Sequence, residues 1–314
     1  MTFWTLILRS LRFHARAHLG VVLGAAVGSA ALVGALVVGD SVKESLKELG
    51  LIRLGKVDAA LASNDRFFRA PLAKEVQPAV DAITAAVLQL PGTVTTEDAS
   101  ARANRVQILG VDNSFWKLAS QESGVGEIAN DGVVLNEPLA TQLKVKQGDT
   151  VLLRMQKPSL LSRDAPLTPQ EDSSVALRLK VQSIVTDEQF GRFSLQANQV
   201  APFNAFINLA QLQEKIGQKE RANLLLVGES QNKKNNLAEA ANQILRQHWE
   251  LADAELELRQ VPTGALELRT DRVFLDTPVV DAAQKVSPGT QPVLTYFVNE
   301  LRRGSNSTPY SMVT

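Results

Sequence analysis

The groups in this sequence suited to catalysis or metal binding are three histidines, a few serines and scattered carboxylates. His14 and His18 stand at i, i+4, a spacing that puts two imidazoles on one helix face. They sit among Arg9, Arg12 and Arg16, with no carboxylate near to complete a metal site. His248 closes an amphipathic stretch, where an imidazole commonly serves the last carbonyls of a helix. Gly39-Asp40-Ser41 offers a serine of the kind found in some hydrolase nucleophile blocks. Such a serine needs a base oriented by a third group, and His248 lacks an aspartate just ahead of it. The acidic pairs Glu97-Asp98 and Glu171-Asp172 are of a kind frequent in solvated loops. No GxxxxGK[ST], HExxH, GxSxG or CxxC pattern occurs, so the phosphate cradle, zinc helix and nucleophile elbow are missing. The reading is of a non-enzyme with no catalytic residue, no cofactor and no metal.

The elements around these residues point to a membrane. Leu19 to Gly39 carries no charge and, at 1.5 Å per residue, matches a hydrocarbon core about 30 Å thick. Gly28-Ser29-Ala30 could serve as a signal-peptide cleavage site, but the apolar stretch runs well past it, which fits an uncleaved transmembrane helix. Arg9, Arg12 and Arg16 precede the span with no acidic residue, whereas Asp40, Lys43, Glu44, Lys47 and Glu48 follow it. That asymmetry predicts a cytoplasmic N-terminus. The three arginines share one helical stripe and Trp4, Ile7, Leu8, Leu11 and Ala15 another, so residues 1–18 read as an interfacial helix anchored by Trp4 and snorkelling arginines. Gly20, Gly24 and Gly28 recur every fourth residue, and this small ridge would let a second helix approach closely. Ser41 with Glu44 three residues on forms a capping box at the passage from span to domain.

Lys plus Arg and Asp plus Glu are both 33 among 314 residues, so there is no basic surplus for a nucleic-acid backbone. The absence of cysteine excludes disulfides and thiolate sites. Beyond the span, helical spacing through Val76, Val80, Ile83 and Val87 predicts a helix over Glu75 to Leu90. Arg105 to Asp112 reads as a strand, with Phe115 and Trp116 as core aromatics. Val133 to Leu135, a helix from Asn136 to Leu143, a Gln147-Gly148-Asp149 turn and Thr150 to Met155 make a β-α-β unit. A Pro- and Ser-rich loop over 157–174 leads to alternation at Val175, Leu177, Leu179 and Val181. A helix from Asn208 to Ile216, a buried strand at Asn223 to Val227, a helix to about Trp249, and strands at Leu256 to Val261 and Val273 to Leu275 complete the order. Leu294 to Thr314 offers a strand or helix start.

This order resembles the permease subunits of FtsX, MacB and LolCE type ABC transporters. The resemblance rests on the arginine-bearing start from Trp4 to Arg16 and on the exit Val38-Gly39-Asp40-Ser41-Val42. It also rests on Val106-Gln107-Ile108-Leu109-Gly110-Val111-Asp112 with Phe115, on Asp131 to Asn136 with Leu139-Ala140, and on Val145 to Val151. Asn223 to Val227 resembles the return to the first lobe. Phe190-Gly191-Arg192-Phe193, through Asn198-Gln199, to Pro202-Phe203-Asn204-Ala205-Phe206 is similar to a long-permease subgroup. The resemblance implies an α+β fold: a transmembrane helix at 19–39, then a two-lobed mixed α/β extracytoplasmic domain at 40–314. Its porter-like lobe would hold 40–129 plus 221–314, and its inserted β-rich lobe 130–220. It implies a bacterial inner membrane, a cytoplasmic ATP-binding subunit as partner, and remaining permease spans or a second permease copy beside the lipid bilayer. Because family permeases have further spans, the chain is expected to be an N-terminal fragment. The rival reading is a single-span anchored binding or adhesion protein.

Overall fold

The computed structural model describes residues 3–158, 174–196, 200–228, 237–262, 264–272, 274–294 and 296–313. Most of the loop expected over 157–174, the Asn198-Gln199 pair and Val273 lie outside the described residues. The chain opens with α1 (Phe3–Phe13) and α2 (Ala15–Leu54), which are separated at His14 (φ −96°, ψ 18°). The break falls inside the interfacial helix read from the sequence, so Arg16 belongs to the first turn of α2. α2 also passes unbroken through Ser41 and Glu44, and the expected capping box does not form. A cap satisfies free N–H groups at a helix start, whereas inside a continuous helix those groups already bond to carbonyls four residues back.

The core domain follows as β1 (Val57–Ala62), β2 (Phe68–Arg69), α3 (Leu72–Val80), β3 (Ile83–Thr96), β4 (Arg102–Val111), α4 (Asn113–Trp116), β5 (Gly132–Asn136), α5 (Glu137–Leu143), β6 (Thr150–Gln156), β7 (Ser174–Val185), β8 (Phe203–Asn208), α6 (Leu209–Lys215), β9 (Arg221–Ala222) and β10 (Leu224–Gly228). After these come α7 (Leu237–His248), a 3-10 turn (Leu251–Ala254), β11 (Leu256–Gln260), β12 (Leu266–Thr270), α8 (Thr277–Val286), β13 (Tyr296–Arg303) and β14 (Asn306–Val313). Strands β4, β5 and β8 each hand over to a helix through a side-chain cap. Asp112 Oδ1 accepts from Ser114 N at 2.8 Å, Asn136 Oδ1 from Leu139 N at 3.3 Å and Asn208 Oδ1 from Gln211 N at 3.2 Å.

The single helix expected over Glu75 to Leu90 is instead α3 followed by β3. Asp81 turns left-handed (φ 49°), and Thr84 to Leu88 are buried on both strand faces. A strand covered on both sides has no polar alternation, so Ile83 and Val87 matched the helical period by coincidence. The expected strand at Val273 to Leu275 is also corrected: Phe274 and Leu275 are irregular, and β12 pairs with β11 instead (Leu256↔Thr270, Gln260↔Leu266).

β3 organises the sheet by changing partners along its length. Its first half pairs antiparallel with β10 (Leu224↔Val87), which pairs in turn with β1 (Ala62↔Leu224). From Leu88 onward one side of β3 pairs with β4 (Leu88↔Gly110), and from Gly92 the other side pairs with β6 (Gly92↔Met155). The pairings β3-β4-β8-β5-β7-β6-β3 close a ring, with β4–β8 and β5–β7 parallel. Closure removes exposed strand edges from this part of the molecule. The strands of 130–220 therefore do not form a sheet of their own; they complete a ring with β3 and β4.

Three buried clusters match this layout. Leu88, Ile108, Leu135, Leu153 and Leu179 belong to the ring cluster, together with Leu139 and Leu143 of α5. Phe115, Trp116, Phe190, Phe193 and Phe206 form an aromatic cluster beside β10 and the first half of β3. Leu72, Val76 and Val80 of α3 pack with Leu225 and Val227 of β10, with Ile244 and Leu245 of α7 against them.

Candidate functional site: the span and its junction with the core

The amphipathic pattern at the N-terminus becomes α1, with Trp4 73% exposed and Arg9 and Arg12 on the same short helix. His14 and His18 face each other edge-on with ring centroids 6.3 Å apart. No group of three metal-binding side chains occurs among the described residues. α2 then runs 40 residues, or about 60 Å, roughly twice a hydrocarbon core. Among the described residues it is the helix long and apolar enough to cross a membrane, and none of them covers its apolar window. Gly20, Gly24 and Gly28 lie along it with open space around each, where a Cβ would meet nothing within 4 Å. Asp40, Lys43, Glu44, Lys47 and Glu48 occupy the part of α2 beyond the uncharged segment, with Lys47 Nζ 3.2 Å from Glu44 Oε1.

α2 ends where the core begins. Gly55 takes a positive φ of 57°, and β1 starts two residues later at Val57. Lys56 N donates to Leu118 O at 2.8 Å, which binds the helix end to the turn after α4. Val57 pairs with Gly228 at the far end of β10. Phe190 approaches the same point from the loop after β7, 2% exposed and with φ 72°. Its ring packs at a tilt against Phe115 and Phe193 at centroid distances of 4.8 and 5.0 Å. Behind the loop, Asn204 Nδ2 donates to Gly191 O and Phe193 O, both at 2.9 Å, and Asn136 Nδ2 donates to Gly191 O at 3.1 Å.

A second set of polar contacts ties the segment after α7 to the core. Arg69 donates to Asp253 at 3.0 Å, to Glu75 at 3.0 Å and to the His248 carbonyl at 3.3 Å. The end of α7 is thus served by Arg69, where the sequence suggested the histidine ring. Asp253 is buried and also accepts from Arg69 N and Glu250 N, so its charge is fully hydrogen-bonded. Further along, Arg66 Nη2 donates to Asp276 Oδ1 at 2.8 Å. That hydrogen bond holds the Asp276 carboxyl below its usual range and raises Arg66.

Sequence reasoning found the span but not its socket. Gly55, Leu118, Phe190 and Gly228 come from four separate stretches, and β1 was not read as a strand. A glycine between a helical run and the alternation of Val57 to Ala62 was the available local signal.

Residues 19–246 match the family model described as the MacB-like periplasmic core domain. The chain belongs to that family. Among solved structures, the MacB-like chain is similar to the periplasmic region of MacB from Actinobacillus actinomycetemcomitans, at 12% identity and a TM-score of 0.39, over 76% of this chain and 96% of that one. It is also similar to the extracellular domain of the noncanonic ABC-type transporter YknZ from Gram-positive bacteria, at 11% identity and a TM-score of 0.33, over 62% and 97%. No curated protein matches it.

Proposed function

We propose that this MacB-like chain is a permease component that relays the motion of a cytoplasmic ATP-binding subunit to its extracytoplasmic core domain. The observation that carries this reading is α2, which leaves the apolar segment and reaches β1 without a break. A continuous helix transmits displacement along its axis because every backbone bond is made within it. In this reading α1, with Trp4, Arg9 and Arg12, lies at the cytoplasmic face of the inner membrane beside Arg16 in the first turn of α2, and is the part an ATPase moves. Gly20, Gly24 and Gly28 face the remaining permease spans or a second permease copy. The core divides into a porter-like lobe (40–129 plus 221–314) and an inserted lobe (130–220) that share β3 and β4 through the ring. The chain contributes no catalysis of its own, since phosphoryl transfer needs a phosphate cradle and a metal-holding carboxylate.

The test combines purification with insertion. The protein extracted from its own membrane should carry an ATP-hydrolysing subunit with it. A Gly-Gly-Ser insertion after Gly39 should leave that association and the ATP turnover intact while abolishing the transport or cell-envelope output. Output retained with the insertion would reject the lever. Purification without any nucleotide-binding subunit would favour an anchored binding protein instead.

A further inference from the structure

We infer that the end of α2 is held in a built joint, made by Gly55, Gly228, the Leu118 carbonyl and the Phe190 ring. This joint fixes the helix to the ring of strands as well as to β1, and does not act as a hinge. The importance of such a joint for motion coupling rests on the reading above; its rigidity does not.

Covalently, α2 continues only into β1, which belongs to the three-stranded sheet with β10 and the first half of β3. A helix joined to a strand through a glycine would ordinarily pivot there, because glycine opens backbone conformations closed to other residues. The surroundings of Gly55 remove that freedom. A Cβ on Gly55 would stand 2.5 Å from Leu118 O and 2.9 Å from Phe190 Cε2. At Gly228, across the β1–β10 pairing, a Cβ would overlap the Lys56 carbonyl and stand 2.9 Å from Leu118 Cδ2. Both glycines therefore permit close approach of chain segments, and once the segments are in place the contacts leave no room for rotation. The Lys56 N–H to Leu118 O bond closes the fourth side.

Phe190 identifies the connected body. A buried phenylalanine with a φ of 72° occupies a region that disfavours bulky side chains, and such strain persists only where the surroundings over-determine it. Here the ring is clamped by Phe115 and Phe193, while the following residue, Gly191, donates N–H to Thr186 O at 2.9 Å and accepts from Asn136 and Asn204. Those two asparagines lie on β5 and β8, and Thr186 follows β7 directly. The ring of strands thus places Phe190 against Gly55, the residue that ends α2. Displacement of the helix would reach the ring through this contact and the first sheet through β1, so the core would move as one body.

Because the chain has no cysteine, paired spin labels can be placed at will. We would label the full chain in lipid nanodiscs at Ser45→Cys on α2 with Thr141→Cys on α5, and separately at Lys74→Cys with Thr141→Cys inside the core. All three positions are exposed. Pulsed dipolar spectroscopy should give one narrow distance distribution for each pair. Phe190→Ala and Gly228→Ala should broaden the Ser45–Thr141 distribution and leave the Lys74–Thr141 distribution narrow, whereas Gly126→Ala, a glycine in open space, should change neither. A broad Ser45–Thr141 distribution in the parent protein would overturn the joint. So would an unchanged narrow one in both Phe190→Ala and Gly228→Ala. If Gly228→Ala also broadens the core pair, Phe190→Ala alone decides, since it removes only ring atoms. No nucleotide or partner enters this measurement, so its failure is distinct from failure of the permease reading.

Discussion

At the scale of residues, buried asparagines replace missing backbone pairing. Asn223 precedes β10 at the level where β3 has left that strand and has not yet met β6. Its side chain supplies both halves of a ladder rung, with Oδ1 accepting from Gln89 N at 2.8 Å and Nδ2 donating to Gln89 O at 2.8 Å. The same Nδ2 reaches Asn64 O at 2.9 Å, so one amide closes the fork between the two parts of the sheet. Asn223→Ala would leave three backbone groups without this partner at a largely buried position. The expected loss is about 3 kcal/mol or more, given at least about 1 for each orphaned group. The urea midpoint of the full chain in detergent measures it, with Asn242→Ala on the exposed side of α7 as a control expected to stay within about 0.5 kcal/mol. Equal midpoints for the two variants would show that the fork is held by other means.

Among the elements, α2 combines two roles along one axis. Its first part is uncharged and uncovered, with the glycines bare of neighbours, and its last part carries mixed charge up to Leu54. Without a hydrophobic driving force between helices in lipid, close backbone approach across small residues supplies the attraction. Gly24→Leu and Gly28→Leu should therefore weaken lateral association in the membrane by about 1 to 2 kcal/mol while leaving insertion intact. Crosslinking yield in lipid, compared with the unsubstituted chain, reports the effect. Unchanged yield in both variants would show that another face of α2 is used.

For the whole molecule, the prediction is sidedness. No acidic residue precedes Asp40, and three arginines lie before the span, so the N-terminus should stay on the cytoplasmic face and the core should be exported. Single cysteines at Ser10 in α1 and Thr141 in α5 are both exposed in the cysteine-free chain. An impermeant thiol reagent added to intact spheroplasts should label Thr141→Cys and spare Ser10→Cys until the membrane is opened. The reverse pattern would invert the topology and remove the basis for a cytoplasmic ATPase acting on α1.

Local order determined much of this protein. The apolar run that became the first part of α2, the helices α5 and α6 starting at their asparagines, the alternation of β7 and the motif order of the MacB-like family could all be read from neighbouring residues. Caps, charge-free spans and period-two strands are properties of adjacent side chains. Where a pattern was ambiguous, tertiary burial decided. Ile83 to Val87 fits a helix by spacing and is a strand because both faces are covered. Ser41 and Glu44 spell a cap and lie inside a helix because the preceding turns had already satisfied their N–H groups. The joint was out of reach of sequence reading for a different reason. Gly55, Leu118, Phe190 and Gly228 are brought together only when β1 pairs with β10 and the ring of strands closes. Steric exclusion between segments far apart in the chain has no period, cap or motif, and exists only once the fold has placed them in contact.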